Sequence, residues 1–384
     1  MRICLVSPYS WSFPGGVLEH VDALATQMER RGHRVCVMAP NDPLDVRTRL
    51  LHPKLGRHGP LPPLVEPVGR SVPVPMNGSL ANLAFSPSAW GAVRRVVRRQ
   101  MPDLMHVHEP LVPVVSWAAL AAAEAYRIPV VGTFHANYPE RGVYYRAFRT
   151  VKRAADPMDR AGRIVKVRVA VSPAAARTAS RYFPGEYRIV PNGVDTRRFA
   201  PPASPRRDPG RVLFVGRPEA RKGLPVLLRA FEEVLDEVPE AHLEIVGSRP
   251  EDVKIPKRLL SSVRVRGMLD DRELVGAMHA ASVLCAPSIR SESFGVVLIE
   301  ALAAGLPVLA SDIPGYDSVI TRGRDGILVP PGDPRALARE LVRLLRDPEL
   351  RARLAAEGLI TARRYDWPQI ASEIEEIYRS LLGG

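Results

Sequence analysis

The chain has 384 residues, of which 46% are hydrophobic and 25% are charged, values that are typical of a globular protein and exclude a disordered chain or a long coiled coil. No apolar run approaches the ~20 residues of a membrane-spanning helix, and the N-terminus lacks the pattern of a secretion signal. Three scattered cysteines predict neither a disulfide framework nor a zinc site. We therefore expect a soluble protein of a reducing compartment, the cytoplasm.

The formal net charge is +13, and it is distributed unevenly along the chain. Residues 1–193 contain 26 Lys and Arg against 13 Asp and Glu, whereas residues 194–384 contain 28 of each. The whole excess therefore lies in the first half, which indicates that this half meets an anion that the second half does not.

The first half alternates apolar runs with amphipathic stretches, which is the pattern of a doubly wound parallel sheet. Strands are predicted over residues 2–8, 34–39, 103–108, 129–134 and 164–171. Helices are predicted from the Gly-Gly-Val stretch to about residue 31, and over residues 88–100 and 112–126. Gly32 is the expected glycine just past the first helix. Residues 40–75 are rich in Pro, Gly, Arg and His and predict a long surface excursion.

A second βα series begins after turn residues near residue 193 and a Pro-rich stretch. Its strands are predicted over residues 212–215, 242–246, 263–266, 283–286 and 308–310, with helices after Gly223, from about Asp271 and from about Phe294. The predicted fold class is α/β, with two Rossmann-like domains that face a cleft. The domains cover residues 1–193, completed by a helix over residues 366–384, and residues 194–365. Ligands bind such sheets at the carboxyl ends of the strands.

A glycine pair, Gly15 and Gly16, follows the first strand where the helix begins. Glycines at this place let backbone N–H groups approach a diphosphate at the helix N-terminus. The dinucleotide-binding pattern of three spaced glycines is absent. A tight turn that needs positive φ angles explains the pair equally well.

The loop after the first strand of the second half contains Arg217, Arg221 and Lys222. Arginine forks and lysine ammonium groups both bind phosphate. Lysine is rare in this chain, with six among 54 basic residues, so its presence in such a loop favours a functional site. The alternative is a solvated basic loop.

The segment from Ser291 to Glu300 places two carboxylates, Glu292 and Glu300, around an apolar run that opens a helix. A helix rises about 1.5 Å per residue, so Glu300 is expected about two turns below Glu292, too far for both to act at one bond. We expect them to contact separate parts of an extended ligand, with the N–H groups of Phe294–Val296 facing a phosphate. Glu300 is expected to be buried and to need a partner, either the ligand or an arginine.

His135 follows a predicted strand at the carboxyl edge of the first sheet, while His106 and His108 alternate along another strand that ends at Glu109. A single histidine at such a place is either catalytic or part of the structure. No metal-binding spacing and no nucleophile motif is present in the sequence.

The helix predicted over residues 88–100 has a basic side and an apolar side. The basic side holds Arg94, Arg95, Arg98 and Arg99, and the apolar side holds Trp90, Val93, Val96 and Val97. An arginine face beside a stripe with Trp suits anionic lipid headgroups, although a sheet-covering helix with a basic outer face has the same pattern. A second basic cluster over residues 141–168 suits phosphate, lipid or nucleic acid.

Taken together, these motifs resemble the GT-B retaining glycosyltransferases of family 4 over nearly the full length of the chain. The carrying stretches are the Gly-Gly loop, Val-Gly-Arg with Arg-Lys-Gly, Glu-Ser-Phe-Gly-x4-Glu, and Ala-x-Gly-Leu-Pro-Val. Within the family, His-Val-His-Glu-Pro, Thr-Phe-His, Asn-Gly-Ser and Arg-Tyr-Asp-Trp look most like the actinobacterial phosphatidylinositol mannosyltransferases.

The resemblance implies transfer of mannose from GDP-mannose to the inositol of phosphatidylinositol, with retention and without a dedicated protein nucleophile. It implies no prosthetic group and no metal site in the protein. The implied catalytic residues are His135, Arg217, Lys222 and Glu292. The implied donor-binding residues are Gly15, Gly16, Arg217, Lys222, Glu292, Phe294, Gly295, Val296, Val297 and Glu300. Within these sets, Glu292 and His135 would contact the sugar and Glu300 the ribose.

The resemblance also implies an acceptor side and a membrane contact. The implied acceptor-binding residues are Tyr9, Asn77, Gly78, Ser79 and Arg141, and the implied membrane-binding residues are Trp90, Arg94, Arg95, Arg98 and Arg99. The enzyme would be peripheral on the inner face of the plasma membrane, where it would bind an anionic phospholipid surface and a lipid acceptor.

The acceptor side departs from the family pattern at two places. Residues 136–141 stand where the family has small hydroxyl residues and a Lys, and Ser12-Phe13-Pro14 stands where it has an acidic residue. Another nucleotide-sugar donor such as UDP-glucose, or another lipid or soluble acceptor, therefore remains an alternative. A nucleic-acid-binding protein is disfavoured by the aromatic content of 6% and by the absence of a recognition motif.

Overall fold

The computed structural model describes residues 1–384 except residues 14, 53–59, 77–78, 86–87, 138–156, 205 and 384, and it does not describe the side chains of residues 76, 79 and 157–160. The chain divides into two compact units. The first unit consists of Met1–Asn192 and Trp367–Gly384, and the second consists of Gly193–Asp366.

The first unit is built on a parallel sheet, beside which lies an antiparallel hairpin. Its strands are β1 (Arg2–Val6), β2 (Arg34–Ala39), β3 (Val65–Pro67), β4 (Ser71–Met76), β5 (Ser79–Ala84), β6 (Leu104–His108), β7 (Val130–Phe134), β8 (Val165–Ala170) and β9 (Arg188–Ile189). The parallel sheet has seven strands in the order β3-β2-β1-β6-β7-β8-β9, and β4 pairs with β5 as the hairpin.

The second unit contains one parallel sheet of six strands. Its strands are β10 (Arg211–Val215), β11 (His242–Val246), β12 (Val263–Gly267), β13 (Val283–Ala286), β14 (Val308–Ser311) and β15 (Ile327–Val329). Their order is β12-β11-β10-β13-β14-β15, so the chain reverses direction across the sheet at β10. In such sheets the carboxyl ends of the strands at the reversal form the ligand site.

Helices follow most strands in both units. In the first unit they are α1 (Gly16–Arg30), α2 (Val46–Leu51), α3 (Ser88–Gln100), α4 (Val115–Tyr126), α5 (Pro157–Ile164) and α6 (Pro173–Ser180). In the second unit they are α7 (Thr196–Phe199), α8 (Leu224–Glu237), α9 (Asp271–Ala280), α10 (Val296–Ala303), α11 (Pro334–Arg346) and α12 (Pro348–Ala362). The last helix, α13 (Trp367–Leu382), belongs to the first unit. Among the described residues, none of the helices is long and apolar enough to cross a bilayer.

The core of the first unit explains why its strands are apolar throughout. Cys4 and Val6 of β1 belong to a buried cluster with residues of α3 and α4 on one face of the sheet. Ile3 and Leu5 belong to a second cluster with residues of α1 and α13, including Ile370. A parallel strand covered on both faces needs apolar residues at every position, which is the pattern that predicted it.

The predicted fold class is confirmed, because both units are doubly wound parallel sheets, but several predicted spans were wrong. Residues 40–75 contain α2, β3 and most of β4 rather than an excursion without regular structure. The helix predicted from residue 112 begins at Val115, since Val114 has a φ of 71° that is incompatible with a helix. The helix predicted from Phe294 begins at Val296, after Gly295 with a φ of 95°.

Candidate active site

The loop that follows β10 brings three basic side chains to the carboxyl end of the central strand in the second unit. Gly223 closes this loop with a φ of 73°, and a Cβ atom there would lie 1.8 Å from the carbonyl oxygen of Pro287. Only glycine permits this approach to the segment after β13. The backbone N–H of Ile289 also donates to the carbonyl oxygen of Arg221 at 2.8 Å. The loops after β10 and β13 are therefore held together.

Glu292, in the loop after β13, is the carboxylate that these loops bring onto the basic residues. It is only 8% exposed, and its Oε1 lies 2.6 Å from Nη1 of Arg221 and 2.8 Å from Nζ of Lys222. Glu219 pairs with Arg221 at 2.7 Å and lies 3.8 Å from Arg217. The predicted catalytic residues Arg217, Lys222 and Glu292 thus lie in one cluster of alternating charges. The side chain of Arg217 is the most exposed of them, at 49%.

The backbone around Glu292 is tightly constrained by a second loop. Ser291 has a φ of 61°, a conformation that costs about 1–3 kcal/mol for a residue with a side chain. A Cβ atom on Gly295 would lie 2.6 Å from the ring of Tyr316, which in turn hydrogen-bonds Ser288 at 2.9 Å. Burial raises the pKa of Tyr316 well above its usual value, so its hydroxyl stays protonated. This packing fixes the turn that presents Glu292.

The helix α10 corrects two expectations for Glu300. Glu292 is not helical, because α10 begins at Val296, and Glu300 is only the fifth residue of that helix. Glu300 is half-buried rather than buried, and Glu292 is a carboxylate of this segment that pairs with Arg221. The helix N-terminus places the N–H groups of Val296 and Val297 beside the Glu292 loop, whereas the ring of Phe294 is buried against Tyr365.

Gly15 and Gly16 do not form the tight turn that was the alternative interpretation. Gly15 precedes α1 with an extended φ of −173°, and neither glycine has a positive φ. A Cβ atom on Gly16 would meet no described atom within 4 Å. Among the described residues, no atom therefore occupies the space beside Gly16, as a diphosphate site at a helix N-terminus requires.

A group of buried histidines surrounds His135 in the first unit. His135 follows β7, is 6% exposed, and its Nε2 lies 2.9 Å from Nδ1 of His108 at the end of β6. Its backbone N–H donates to Oε1 of Glu109 at 2.6 Å. His20 of α1 stacks edge-on against His135 with ring centroids 4.8 Å apart. His106 lies behind His108 and is satisfied by the hydroxyls of Tyr378 and Thr133; these hydrogen bonds are 2.5 and 2.6 Å long.

Burial determines the charge state of this group. Burial lowers the pKa of His20 to about 4, although a contact with Asn192 acts to raise it. Burial also lowers the pKa of His106 to about 3. The pKa values of His108 and His135 are also well below the usual value, first through burial and then through neighbouring histidines. Burial raises the pKa of Glu109 to about 7. At neutral pH, His135 is therefore an uncharged imidazole that exchanges hydrogen bonds rather than a cation.

The acceptor-side residues are described only in part. Tyr9 forms a single antiparallel bridge with Leu83 of β5. Asn77, Gly78 and Arg141 lie outside the described residues, and for Ser79 only the backbone, in β5, is described.

An acidic side chain that sequence reasoning missed organises this region. Asp42, 2% exposed, accepts hydrogen bonds from the hydroxyls of Ser10 at 2.7 Å and Ser71 at 2.6 Å. It thereby ties the loop that bears Tyr9 to the start of β4. Its position after β2 and beside a proline gave no signal of this role.

The helix α3 has the predicted basic face but a different apolar face. Val93, Val96 and Val97 are buried in the core, whereas Trp90 is 40% exposed. The prediction that Trp90 shares the valine side was wrong, since a residue four positions before Arg94 lies on the same side as that arginine. Arg94, Arg95 and Arg98 are exposed, and Arg99 pairs with Glu66 at 2.6 Å. Leu80 and Phe85, just before α3, are also exposed.

Other residues of the site could not have been singled out from the sequence. Glu219, Ser288 and Tyr316 carry no motif. Glu219 contacts Arg221, Ser288 contacts Glu292, and Tyr316 hydrogen-bonds Ser288. His20 lies within a helix whose spacing predicts a core position. The apolar pattern of α1 was the only available signal, and it did not indicate contact with other histidines.

The parallel-sheet fold of both units, together with the motifs in the loops after β10 and β13, places the protein in the class of GT-B glycosyltransferases. Two family models match the chain, Glycosyltransferase Family 4 over residues 14–198 and Glycosyl transferases group 1 over residues 209–347. The fold is similar to that of Anabaena HepE in complex with UDP-glucose, with a TM-score of 0.74 and 20% identity over 99% of this chain and 100% of that chain.

Two full-length relatives identify the family within this class. A phosphatidyl-myo-inositol mannosyltransferase of Mycobacterium leprae is 40% identical over 99% of this chain and 97% of the relative. One of Mycobacterium tuberculosis strain H37Rv is 39% identical over 100% of this chain and 98% of the relative. The chain belongs to the phosphatidyl-myo-inositol mannosyltransferase family and is a hexosyltransferase.

Proposed function

We propose that the enzyme transfers mannose from GDP-mannose to the inositol of phosphatidylinositol, with retention, at the surface of a membrane. The observation that carries the proposal is the cluster of Glu292, Lys222 and Arg221 at the carboxyl edge of the second sheet, in a chain of this family. A sugar-diphosphate donor presents a polyanion beside a neutral sugar. Cations next to a fixed carboxylate match both parts of such a donor.

The donor-side residues have different roles that follow from their charges. Negative charge grows on the diphosphate as the bond to the sugar breaks, and Lys222, Arg217 and the N-terminus of α10 supply positive potential to it. Glu292 accepts hydrogen bonds from sugar hydroxyls while it keeps Lys222 and Arg221 in place. Glu300, half-exposed on the second turn of α10, is assigned to the ribose. Gly16 leaves the N-terminus of α1 open to the phosphates.

His135 is assigned to the sugar from the first unit. Because its ring is uncharged, it exchanges a hydrogen bond with a hydroxyl without repelling positive charge that develops on the sugar in the transition state. Its backbone is anchored by Glu109 and its ring by His108. These contacts restrict its rotamer, so the hydrogen bond would be made at little entropic cost.

The membrane contact is assigned to the exposed face of α3. Trp90, Arg94 and Arg98 are spaced at four residues and share one exposed side of the helix. Tryptophan prefers the interface and arginine the anionic headgroups, so this face suits the cytoplasmic leaflet of the plasma membrane. The exposed Leu80 and Phe85 add apolar surface beside it. The net charge of the first half of the chain is also positive, as is the charge of this face.

The donor and the acceptor are tested by one product assay. The enzyme is incubated with GDP-mannose or UDP-glucose, and with phosphatidylinositol vesicles or soluble inositol. Mannosylated phosphatidylinositol should form only from GDP-mannose and the lipid, with the anomeric configuration of the donor retained in the NMR spectrum. Lys222→Ala should lower turnover by about 10²–10³-fold, because one preorganised charge at a leaving group contributes that much. Product from UDP-glucose or with free inositol would contradict the donor or the acceptor assignment, respectively.

The membrane contact is tested by sedimentation with anionic vesicles. Changing Arg94, Arg95 and Arg98 to Ser should weaken binding about 10²-fold, because each arginine near an anionic surface contributes about 1 kcal/mol. Affinity for GDP-mannose should not change. A matched control changes three exposed arginines of the second unit, Arg335, Arg339 and Arg353, to Ser and should bind like the parent. Equal binding of both triple variants would exclude α3 as the contact.

A further inference from the structure

Three histidines from separate elements meet in the interior of the first unit. They are His20 of α1, His108 at the end of β6 and His135 after β7, and one ring nitrogen from each lies within 4.8 Å of the other two. Their exposed fractions are 4%, 0% and 6%. Most polar side-chain atoms that are this buried have a hydrogen-bond partner.

The hydrogen bonds of this triad are incomplete. Both ring nitrogens of His20 and the Nε2 atom of His108 lack a hydrogen-bond partner among the described residues. Leaving such an atom unsatisfied in the interior destabilises the folded chain. The neighbouring His106 is different, since both of its ring nitrogens are bonded to hydroxyl groups. Unsatisfied ring nitrogens among the four buried histidines are therefore found on His20 and His108, two of the three that meet.

We propose that His20, His108 and His135 bind one divalent transition-metal ion of the zinc class, with a fourth coordination position left open. Three imidazoles with an open position form an established type of zinc site. Tetrahedral coordination at 2.0–2.1 Å places the ligand nitrogens about 3.4 Å apart. The present separations, 2.9 Å between His108 and His135 and at most 4.8 Å overall, reach this value by rotation of the rings.

The donor set selects the class of metal. Imidazole suits zinc, nickel, cobalt and copper, whereas magnesium and calcium require oxygen ligands. Asn192 lies beside His20, and its buried Oδ1 has no hydrogen-bond partner among the described residues. Its Oδ1 can accept a hydrogen bond from one ring N–H of His20 and so orient the other ring nitrogen toward the ion. No sequence pattern predicts this site, because positions 20, 108 and 135 match no metal-binding spacing.

Metal binding has a consequence for the reaction that rests on the proposed function. An ion held by His135 removes this ring from the sugar and adds positive charge where the sugar is bound. Zinc-class ions should therefore inhibit transfer. Binding itself does not depend on this assignment and is measured without substrate.

The test is a Co²⁺ titration of the full chain, free of any histidine tag and stripped with EDTA. Tetrahedral cobalt gives strong visible absorption, which should saturate at one ion per chain and disappear when Zn²⁺ is added. His20→Asn and His108→Gln should each weaken cobalt binding by at least about 10-fold, and two variants guard against one that fails to fold. His242→Gln, in the second unit, is the matched control and should keep the parent affinity. No tetrahedral band in the parent, or equal bands in both triad variants, overturns the proposal.

A transfer assay with added Zn²⁺ separates this proposal from the proposed function. Inhibition in the parent that is weakened at least 10-fold in His20→Asn supports both. Cobalt binding without any inhibition by Zn²⁺ supports the metal site and contradicts the contact of His135 with the sugar. Normal transfer in a chain that binds no cobalt overturns the metal site and leaves the proposed function intact.

Discussion

The ion pair between Glu292 and Lys222 can be measured with a double-mutant cycle. The cycle compares the parent with Glu292→Gln, Lys222→Met and the double variant, all close in side-chain size. The carboxylate lies 2.8 Å from Lys222 and 2.6 Å from Arg221, and the exposed fractions of the Glu292 and Lys222 side chains are 10% and 19%. The pair is thus largely shielded from solvent but not fully buried.

The magnitude follows from these distances. At 2.8 Å and an effective dielectric constant of about 20, the attraction between the two charges is about 6 kcal/mol, most of which is offset by desolvation. We expect a coupling energy of about 2 kcal/mol, within the range for contacting residues. Glu292→Gln alone should cost about 3 kcal/mol, at the low end for breaking a buried pair, because Glu219 still neutralises Arg221. Lys222→Met alone should cost about 1 kcal/mol, since Arg221 still pairs with Glu292.

The assay is thermal and urea unfolding of the second unit, whose transition is recognised by its shift with GDP. For a unit of this size, Glu292→Gln should lower the Tm by about 6–12 °C, and the double variant should be about 2 kcal/mol less stable than the parent rather than the 4 kcal/mol of the summed single changes. Single changes that add within about 0.5 kcal/mol would show that the charges do not interact, and the reasoning for a coupled donor site would fail.

Two further predictions concern the loop and the histidines. Gly223→Ala should destabilise the protein by at least about 2 kcal/mol in urea unfolding and lower kcat/KM, because it combines a positive φ with a clash against Pro287. The control Gly276→Ala lies in an open helical position of α9 and should stabilise the protein by about 0.5–1 kcal/mol. In EDTA, the Tm should fall as the pH is lowered from 6.5 to 5. The depressed pKa values of the four buried histidines mean that unfolding takes up protons below the usual pKa of 6.5, which lowers stability by up to about 1.4 kcal/mol per pH unit for each ring. Glu109, whose pKa is raised to about 7, opposes this trend above pH 4.5, because it binds a proton more readily in the folded chain. It is one group against four histidines, so a Tm that does not change between pH 6.5 and 5 would contradict the burial of the histidines.

Much of the donor side could be predicted from local sequence. The apolar runs of β10 and β13 and the positions of the loops after them are short-range features, and the structure has them where the pattern placed them. The error at Glu300 had a physical cause. The spacing of Glu292 and Glu300 was estimated from the helical rise, but Gly295, with a positive φ, places the start of α10 at Val296. Glu292 therefore lies in the preceding loop, where it pairs with Arg221.

The acceptor side was less predictable, because its contacts join distant segments. Asp42 reaches both Ser10 and Ser71, which no local pattern connects. Trp90 shows the same difficulty within one helix. Its position on the helical wheel was close to the boundary between the faces, and only packing of Val93 and Val97 into the core decided that Trp90 faces outward.

The sequence by itself determined the fold class, the two βα series, the confinement of the net positive charge to the first half and the family resemblance. These properties depend on apolar periodicity and on short motifs, which act over a few residues. The tertiary structure decided which carboxylate meets Lys222 and that His20 joins His108 and His135. The reason is the order of the strands: β1 lies between β2 and β6, and β10 between β11 and β13, so side chains far apart in the chain converge at the same sheet edge.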